Sequence, residues 1–386
     1  MTWDLDPTNV GTGLPLEGVR VLDLSRVLAG PLCAMVVGDL GADVIKVESP
    51  EGDPVRSMAP PSFGDDATYY LSVNRHRRNV VADLRNEGDF RRVGELVKVA
   101  DAVIENYLPR QYESLGIARL RALNPGCVWV SITPASKGGP LANLPSFDLL
   151  AQARSGLMGV TGEADGAPSK VGAPIADVVT GLYGAIGLVS GLFARVQGRE
   201  GGHFEAPLLE SAMSALVNQA QGFLSTGVNP QRLGNDHPSI APYGPVKTAD
   251  GYLLLAIGTD AQYEALVKVV GDVRLSDGGE WATNAGRVEA RGALGETLAQ
   301  IFEGHPTDEW LRRLEEGGVP SAPILDVEGA FAQDQITQGD LVDTMTTPGG
   351  ETRAMRTPLR INGRRPAIRR GPRARGEDTI ELLGDD

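Results

Sequence analysis

GVRVLDL at 18–24, AGPLCAMVVGDLG at 29–41 and ADVIKVE at 42–48 decide the fold. The first and third are short apolar runs rich in β-branched residues; the second has helical spacing and ends at Gly41, a residue suited to a helix C-terminus. Strand, helix and strand in that order make a right-handed βαβ unit on a parallel sheet. The pattern recurs downstream. RNVVADL (78–84), DAVIENY (101–107) and CVWVSIT (127–133) read as strands, and FRRVGELVKVA (90–100) as an amphipathic helix. Strands alternating with helices predict an α/β, Rossmann-like large domain with a parallel sheet.

A chain of 386 residues exceeds what one core usually organises, so a second domain is expected. GYLLLAIG (251–258) is extended, whereas DAQYEALVKVVG (260–271) and TDEWLRRLEEGG (307–318) are helical, which suits a smaller α+β domain. The expected division is a flexible tail over 1–14, the large domain over 15–200 and a linker helix over 201–228. The small domain then takes 229–328, and 329–386 returns to the large domain.

Charge and composition narrow the chemistry. With 36 basic against 50 acidic residues the net charge is −14, which argues against a surface built for nucleic acid or anionic membrane. The arginine-rich stretch from Thr352 to Arg375 lacks interleaved aromatics and is expected to be an extended, solvated or partner-contacting segment. Cys33 and Cys127 lie in apolar runs, which fits a reduced, cytoplasmic compartment. His76, His203, His237 and His305 form no ligand pattern, so no metal site is expected. The start of the chain shows no signal-peptide pattern. The uncharged run Val178–Ala194 carries four glycines and reads as a buried core helix.

Two familiar chemistries drop out. The turn after the first strand, SRVLAGP (25–31), holds one glycine where a dinucleotide cradle needs G-x-G-x-x-G. A G-x-S-x-G nucleophile elbow is absent as well. One carboxylate stands out by its setting. Asp177 directly precedes the apolar helix, where it would cap the helix and be ionised. Gly181, Gly184, Gly187 and Gly191 thin the helix surface so that a backbone or ligand can approach closely. On the residues alone, two readings of Asp177 stand: a helix cap, or a reactive group. NRHRRN (74–79) is either a solvated loop or a set of phosphate-binding cations, and Glu105–Tyr107 lie at a strand end, where open α/β sheets place ligands.

Taken together, PLEGVRVLDLSRVLAGP (15–31), LGADVIKVESPEGDPVR (40–56), LSVNRHRRNVVADL (71–84), LNPGCVWVSIT (123–133), SFDLLAQARSGLMGVTGE (146–163), GAPIADVVTGLYGAIG (172–187) and LLESAMSAL (208–216) resemble the class III coenzyme A-transferases, a family that also contains the α-methylacyl-CoA racemases. GNDHPSIAPYG (234–244), GVPSAPILDVEGAF (318–331) and GEDTIELL (376–383) extend the likeness over nearly the full chain. The resemblance implies an interlocked homodimer, small-molecule acyl-CoA and carboxylic acid substrates, no permanently bound cofactor, and Asp177 as the catalytic residue. It implies an aspartyl mixed-anhydride route, with oxyanion donors sought near Gly138, Gly139 or Gly258. It also places coenzyme A contacts at Leu28 and Ala29, at Ala82, Asp83, Leu84 and Arg85, at Asn106, Tyr107 and Leu108, and at Thr133 and Ser136.

Two departures weaken the phosphate contacts. Ser49 stands where relatives often have a basic residue, and Pro134–Ser136 replaces a glycine-containing turn. Arg75, Arg77, Arg85, Arg110 and Lys137 are the substitute cations. Racemases carry a histidine directly before the aspartate of the SFDLLAQ block; Phe147 stands there, and phenylalanine carries no proton. Transferase is therefore preferred over racemase or another acyl-CoA isomerase. A non-catalytic acyl-CoA-binding scaffold is the remaining alternative, against which the intact Asp177 speaks.

Overall fold

The computed structural model describes residues 3–275 and 279–384. It divides into two units: residues 1–157, 171–227 and 334–386 form the first, and 158–170 with 228–333 form the second.

Six parallel strands make the sheet of the first unit: β1 (Arg20–Asp23), β2 (Asp43–Glu48), β3 (Arg77–Val81), β4 (Ala102–Glu105), β5 (Val128–Thr133) and β6 (His203–Pro207). Their order across the sheet is β3-β2-β1-β4-β5-β6. The chain leaves β1 in one direction and later returns to β1's other side, pairing Val21 with Ala102. A crevice opens at such a reversal, at the carboxyl ends of the strands. β2 and β5 are buried throughout, as strands covered on both faces must be.

Helices supply both covers. On one face Glu87–Val99, capped by the Asn86 side chain, packs Phe90, Val93 and Leu96 over Leu22, Ile45 and Trp129. On the other, Ala29–Asp39 and Ile175–Val196 cover Val21, Val44, Ile104 and Val130. These two helices meet through glycine. A Cβ on Gly181 would lie 2.7 Å from the Ala29 carbonyl oxygen, and one on Gly184 would lie 3.2 Å from Cys33 Sγ.

The structure corrects three expectations about the first unit. Residues near the start are not a loose tail: Trp3 is 3% exposed, and its indole Nε1 donates to Asp43 Oδ2 at 2.8 Å. An indole with a buried acceptor has more to gain by docking than by staying solvated. Part of the arginine-rich stretch, extended as expected, is held by the fold rather than solvated, with Arg370 2.7 Å from Asp6 and Arg369 donating to Asn9 and to the Gly38 carbonyl. Finally, Ile175–Val196 is buried on one face only. Leu182, Tyr183, Ile186 and Phe193 are exposed on this chain.

The division differs from the expected one in detail. Residues 158–170 join the second unit, while β6 and the helices Leu208–Ser214 and Asn218–Thr226 belong to the first rather than to a linker. The second unit has a three-stranded antiparallel sheet of Tyr243–Lys247, Tyr252–Ala256 and Ser321–Pro323. The helices Asp260–Val270, Arg291–Phe302 and Thr307–Glu316 bury Tyr263, Leu298, Phe302 and Trp310 with Leu253 and Leu255 of that sheet.

Candidate active site

The crevice between β1 and β4 is a cavity of about 310 Å³. Arg26–Ala29 follow β1, Asn106, Leu108 and Gln111 follow β4, and Ile132–Pro134 end β5; all line it. Pro54, Met58, Pro145–Phe147, Leu208 and Asp177 complete the wall.

Asp177 reaches the cavity because another residue does the capping expected of it. Pro174 occupies the cap position and offers no side-chain acceptor, so Asp177 falls at the third helical residue. The free amides of that first turn belong to Asp148, whose Oδ1 accepts from Ala176 N at 2.8 Å and from Asp177 N at 3.4 Å. Gln152 Nε2 donates to Asp148 Oδ2 at 2.7 Å, while Gln152 Oε1 accepts from Val171 N at 2.9 Å. Asp148 is thereby fixed, and its charge takes up the favourable end of the helix dipole.

The consequence for Asp177 is electrostatic. Its carboxyl makes no hydrogen bond among the described residues. Burial pushes its pKa up to about 7, and the Asp148 charge adds to that. The expectation of a fully ionised cap is corrected: near neutrality the carboxyl is poised between its two forms. Tyr69 faces the same charges. Burial first, then Asp177 and Asp148, push its phenol up to about 12, so it stays a neutral donor. In the sequence Asp148 stands out only as the aspartate after Phe147, and no pattern marks Tyr69.

Comparison with known proteins decides the family. The model for CoA-transferase family III matches residues 16–379. The succinate–glutarate CoA-transferase of Agrobacterium fabrum is 36% identical over 381 residues, covering 96% of this chain and 95% of that one. The human succinyl-CoA:glutarate CoA-transferase is 35% identical, covering 96% of this chain and 85% of its own length. A CAIB/BAIF family protein from Brucella suis has a crystal structure that superposes with a TM-score of 0.85 at 36% identity, covering 96% of this chain and 98% of that one.

The chain belongs to CoA-transferase family III.

As a family III protein it is an enzyme, a CoA-transferase. Of the residues that the resemblance singled out, Leu28, Ala29, Asn106, Leu108 and Thr133 stand with Asp177 on the cavity wall. Phe147 joins them and is 58% exposed. Asn106 also organises the loop after β1, for its Oδ1 accepts from Arg26 N at 3.0 Å and its Nδ2 donates to Arg26 O at 2.8 Å.

The others lie elsewhere. Ala82 and Leu84 are buried in the core, and Asp83 pairs with the exposed Arg85 at 2.8 Å. Tyr107 is half-buried beneath Arg26, while Arg110 and Ser136 are exposed. Lys137 lies 5.1 Å over the Tyr112 ring. Two of the substitute cations must be corrected. Arg75 is 5% exposed and grips both oxygens of Asp39 at 2.7 and 2.6 Å; Arg77 is 2% exposed and donates to the Asn74 side chain and the Pro31 carbonyl. Each is spent on the fold, so the NRHRRN run is neither a solvated loop nor a free phosphate clamp. Two of the three oxyanion donors named from the sequence are similarly engaged: Gly139 N donates to Ser136 O, and Gly258 N to Gln262 Oε1.

Proposed function

We propose that this enzyme moves coenzyme A from an acyl-CoA donor to a carboxylic acid through a covalent intermediate on Asp177. The observation that carries the reading is a carboxyl on the cavity wall with no ion pair and no hydrogen-bond donor to it among the described residues. Such a carboxylate is more basic than an ordinary aspartate and a better nucleophile for it.

Attack of an Asp177 oxygen on the thioester carbonyl carbon forms a C–O bond, breaks the C–S bond and releases the thiolate, leaving a mixed anhydride. The thiolate then attacks the Asp177 carbonyl carbon, forming an aspartyl–coenzyme A thioester and expelling the donor's acid as its carboxylate. The acceptor carboxylate displaces the thiolate from Asp177 as a second anhydride. Thiolate attack on the acceptor's carbonyl gives the new thioester and restores Asp177. Every nucleophile and leaving group is an anion, so no step requires a general acid. Phe147 beside the site is consistent with that and speaks against the racemase alternative. Short dicarboxylic acids are the substrate class favoured by the relatives' succinate and glutarate names.

Hydroxylamine added during turnover is expected to convert the Asp177 side chain to a hydroxamate detectable by peptide mass spectrometry. An Asp177→Ala enzyme that keeps its transfer rate overturns the proposal. We also infer a homodimer, because Leu182, Tyr183, Ile186 and Phe193 make an apolar helix face that a second copy would cover. Light scattering that finds a monomer at micromolar concentration rejects it.

A further inference from the structure

Among the described residues lining the cavity, Arg26 is the only basic one. Its setting differs from that of the other arginines near the sheet. Arg56 bonds Glu48, Arg75 bonds Asp39 and Arg78 bonds Asp43, so each has a carboxylate. Arg26 makes no ion pair among the described residues. Its guanidinium has a single long contact, Nη2 to Gln111 Oε1 at 3.5 Å, and lies 5.5 Å over the Tyr107 ring. Most of its donors are open.

The backbone that carries it is, by contrast, tightly held. Asn106 clamps both the N–H and the carbonyl of Arg26. The next residue, Val27, sits at φ +70°, a left-handed conformation that is costly for a β-branched side chain. Val27 N donates to Asp53 Oδ1 at 3.2 Å, and Asp53 Oδ2 is 2.9 Å from Lys46 Nζ. Lys46 is wholly buried and donates to Ser25 O at 2.9 Å. Three consecutive residues are therefore fixed by side chains from β2, from the loop after it and from the end of β4. Strain held in place by such a brace is the mark of a loop that must present a group in one position.

We infer that Arg26 is the cation that holds the diphosphate of the coenzyme A substrate. This rests on the CoA-transferase reading and adds a binding residue to it. A planar fork with open donors suits a diphosphate, and a chain of net charge −14 has to supply such a cation locally. The guanidinium lies toward Tyr107 and Gln111, whereas Asp177 lies beside Asp148 and Tyr69, so phosphate and thioester would occupy different parts of the wall. A carboxylate of the acid substrate offers the same charge and is the competing occupant.

The test compares Arg26→Met and Arg26→Lys with the parent enzyme, using succinyl-CoA, the truncated donor succinyl-pantetheine, which has no phosphate, and glutarate as acceptor. Arg26→Met is expected to raise KM for succinyl-CoA about thirty-fold, with kcat within threefold, because charge-assisted hydrogen bonds are lost. The truncated donor should react equally well with all three enzymes, and Arg26→Lys should recover part of the affinity. An equal loss with the truncated donor would assign Arg26 to loop structure. A raised KM for glutarate with KM for succinyl-CoA unchanged would assign it to the acid; either outcome overturns the inference. A parent enzyme inactive on every donor and acceptor tried would instead sink the transferase reading itself.

Discussion

Two carboxylates in this enzyme, Glu48 buried and Asp177 half-buried, meet opposite fates. Glu48, at the end of β2, is surrounded by donors: Arg56 contacts both its oxygens at 2.9 and 3.0 Å, and Tyr70 and Asn79 donate as well. Burial pushes its pKa up, but the Arg56 hydrogen bonds and the charges of Lys46 and Arg56 outweigh burial and hold it at about 2. Asp177 is half-buried, has no donor to its carboxyl among the described residues and has a second aspartate beside it, and burial pushes it up to about 7. The cations near β2 are thus spent on architecture, while the carboxylate on the cavity wall is left without one. A carboxylate satisfied like Glu48 would be a poor nucleophile, and one left like Asp177 is a poor structural element.

The sharpest way to break this contrast is Asp177→Asn, which should lower kcat roughly a thousandfold or more in a donor–acceptor assay. The same variant should be more heat-stable at pH 8 and not at pH 4. The folded enzyme keeps a proton on Asp177 up to about pH 7 that the unfolded chain releases near pH 4, so this group's contribution declines as pH rises between those values. Equal melting temperatures at pH 8 would show that the Asp177 charge is not unfavourable in the native state.

Removing the charge from Glu48 should do the reverse. Glu48→Gln leaves the largely buried Arg56 with Asp66 as its remaining counter-charge and should cost about 3 kcal/mol in urea unfolding at pH 7. Because the folded pKa of Glu48 is depressed, its contribution is present above about pH 4 and is lost as pH falls toward 2. The variant should therefore show a flatter acid limb than the parent.

Gly181→Ala probes the helix that carries Asp177. Its new methyl would meet the Ala29 carbonyl oxygen at 2.7 Å and Leu32 Cβ at 3.0 Å, and should cost about 1–3 kcal/mol, read by the same denaturation. The mildest change is Asp148→Asn, which keeps the acceptor for Ala176 and Asp177 N–H but drops the charge. The rising limb of kcat/KM against pH, expected near 7 in the parent, should move toward the ordinary aspartate range, with the maximal rate changed only a few-fold. An unmoved limb would leave burial as the sole cause of the raised pKa.

Local pattern made much of this molecule legible. Apolar runs of strand length, separated by helical spacing from Val19 to Thr133, require a parallel sheet because βαβ connections run right-handed. Asp177 was visible by its place before an apolar helix, and the glycines after it foretold the close approach that Ala29 makes. Roles set by distant partners were not legible. Arg75 and Arg77 look like free cations in the sequence, yet Asp39 and Pro31, some forty residues earlier, engage them. Trp3 reads as part of a tail until Asp43 is seen to accept its N–H.

From its residues alone, then, the chain determined its strands and helices and singled out Asp177 as either a cap or a reactive group, because periodicity and turn residues act within a few positions of one another. Tertiary structure alone decided that Asp148 caps the helix in place of Asp177, and that Arg26 keeps its donors open. A pKa or a free valence depends on which groups lie within a few ångströms in space, and those groups come from parts of the chain that sequence spacing does not connect.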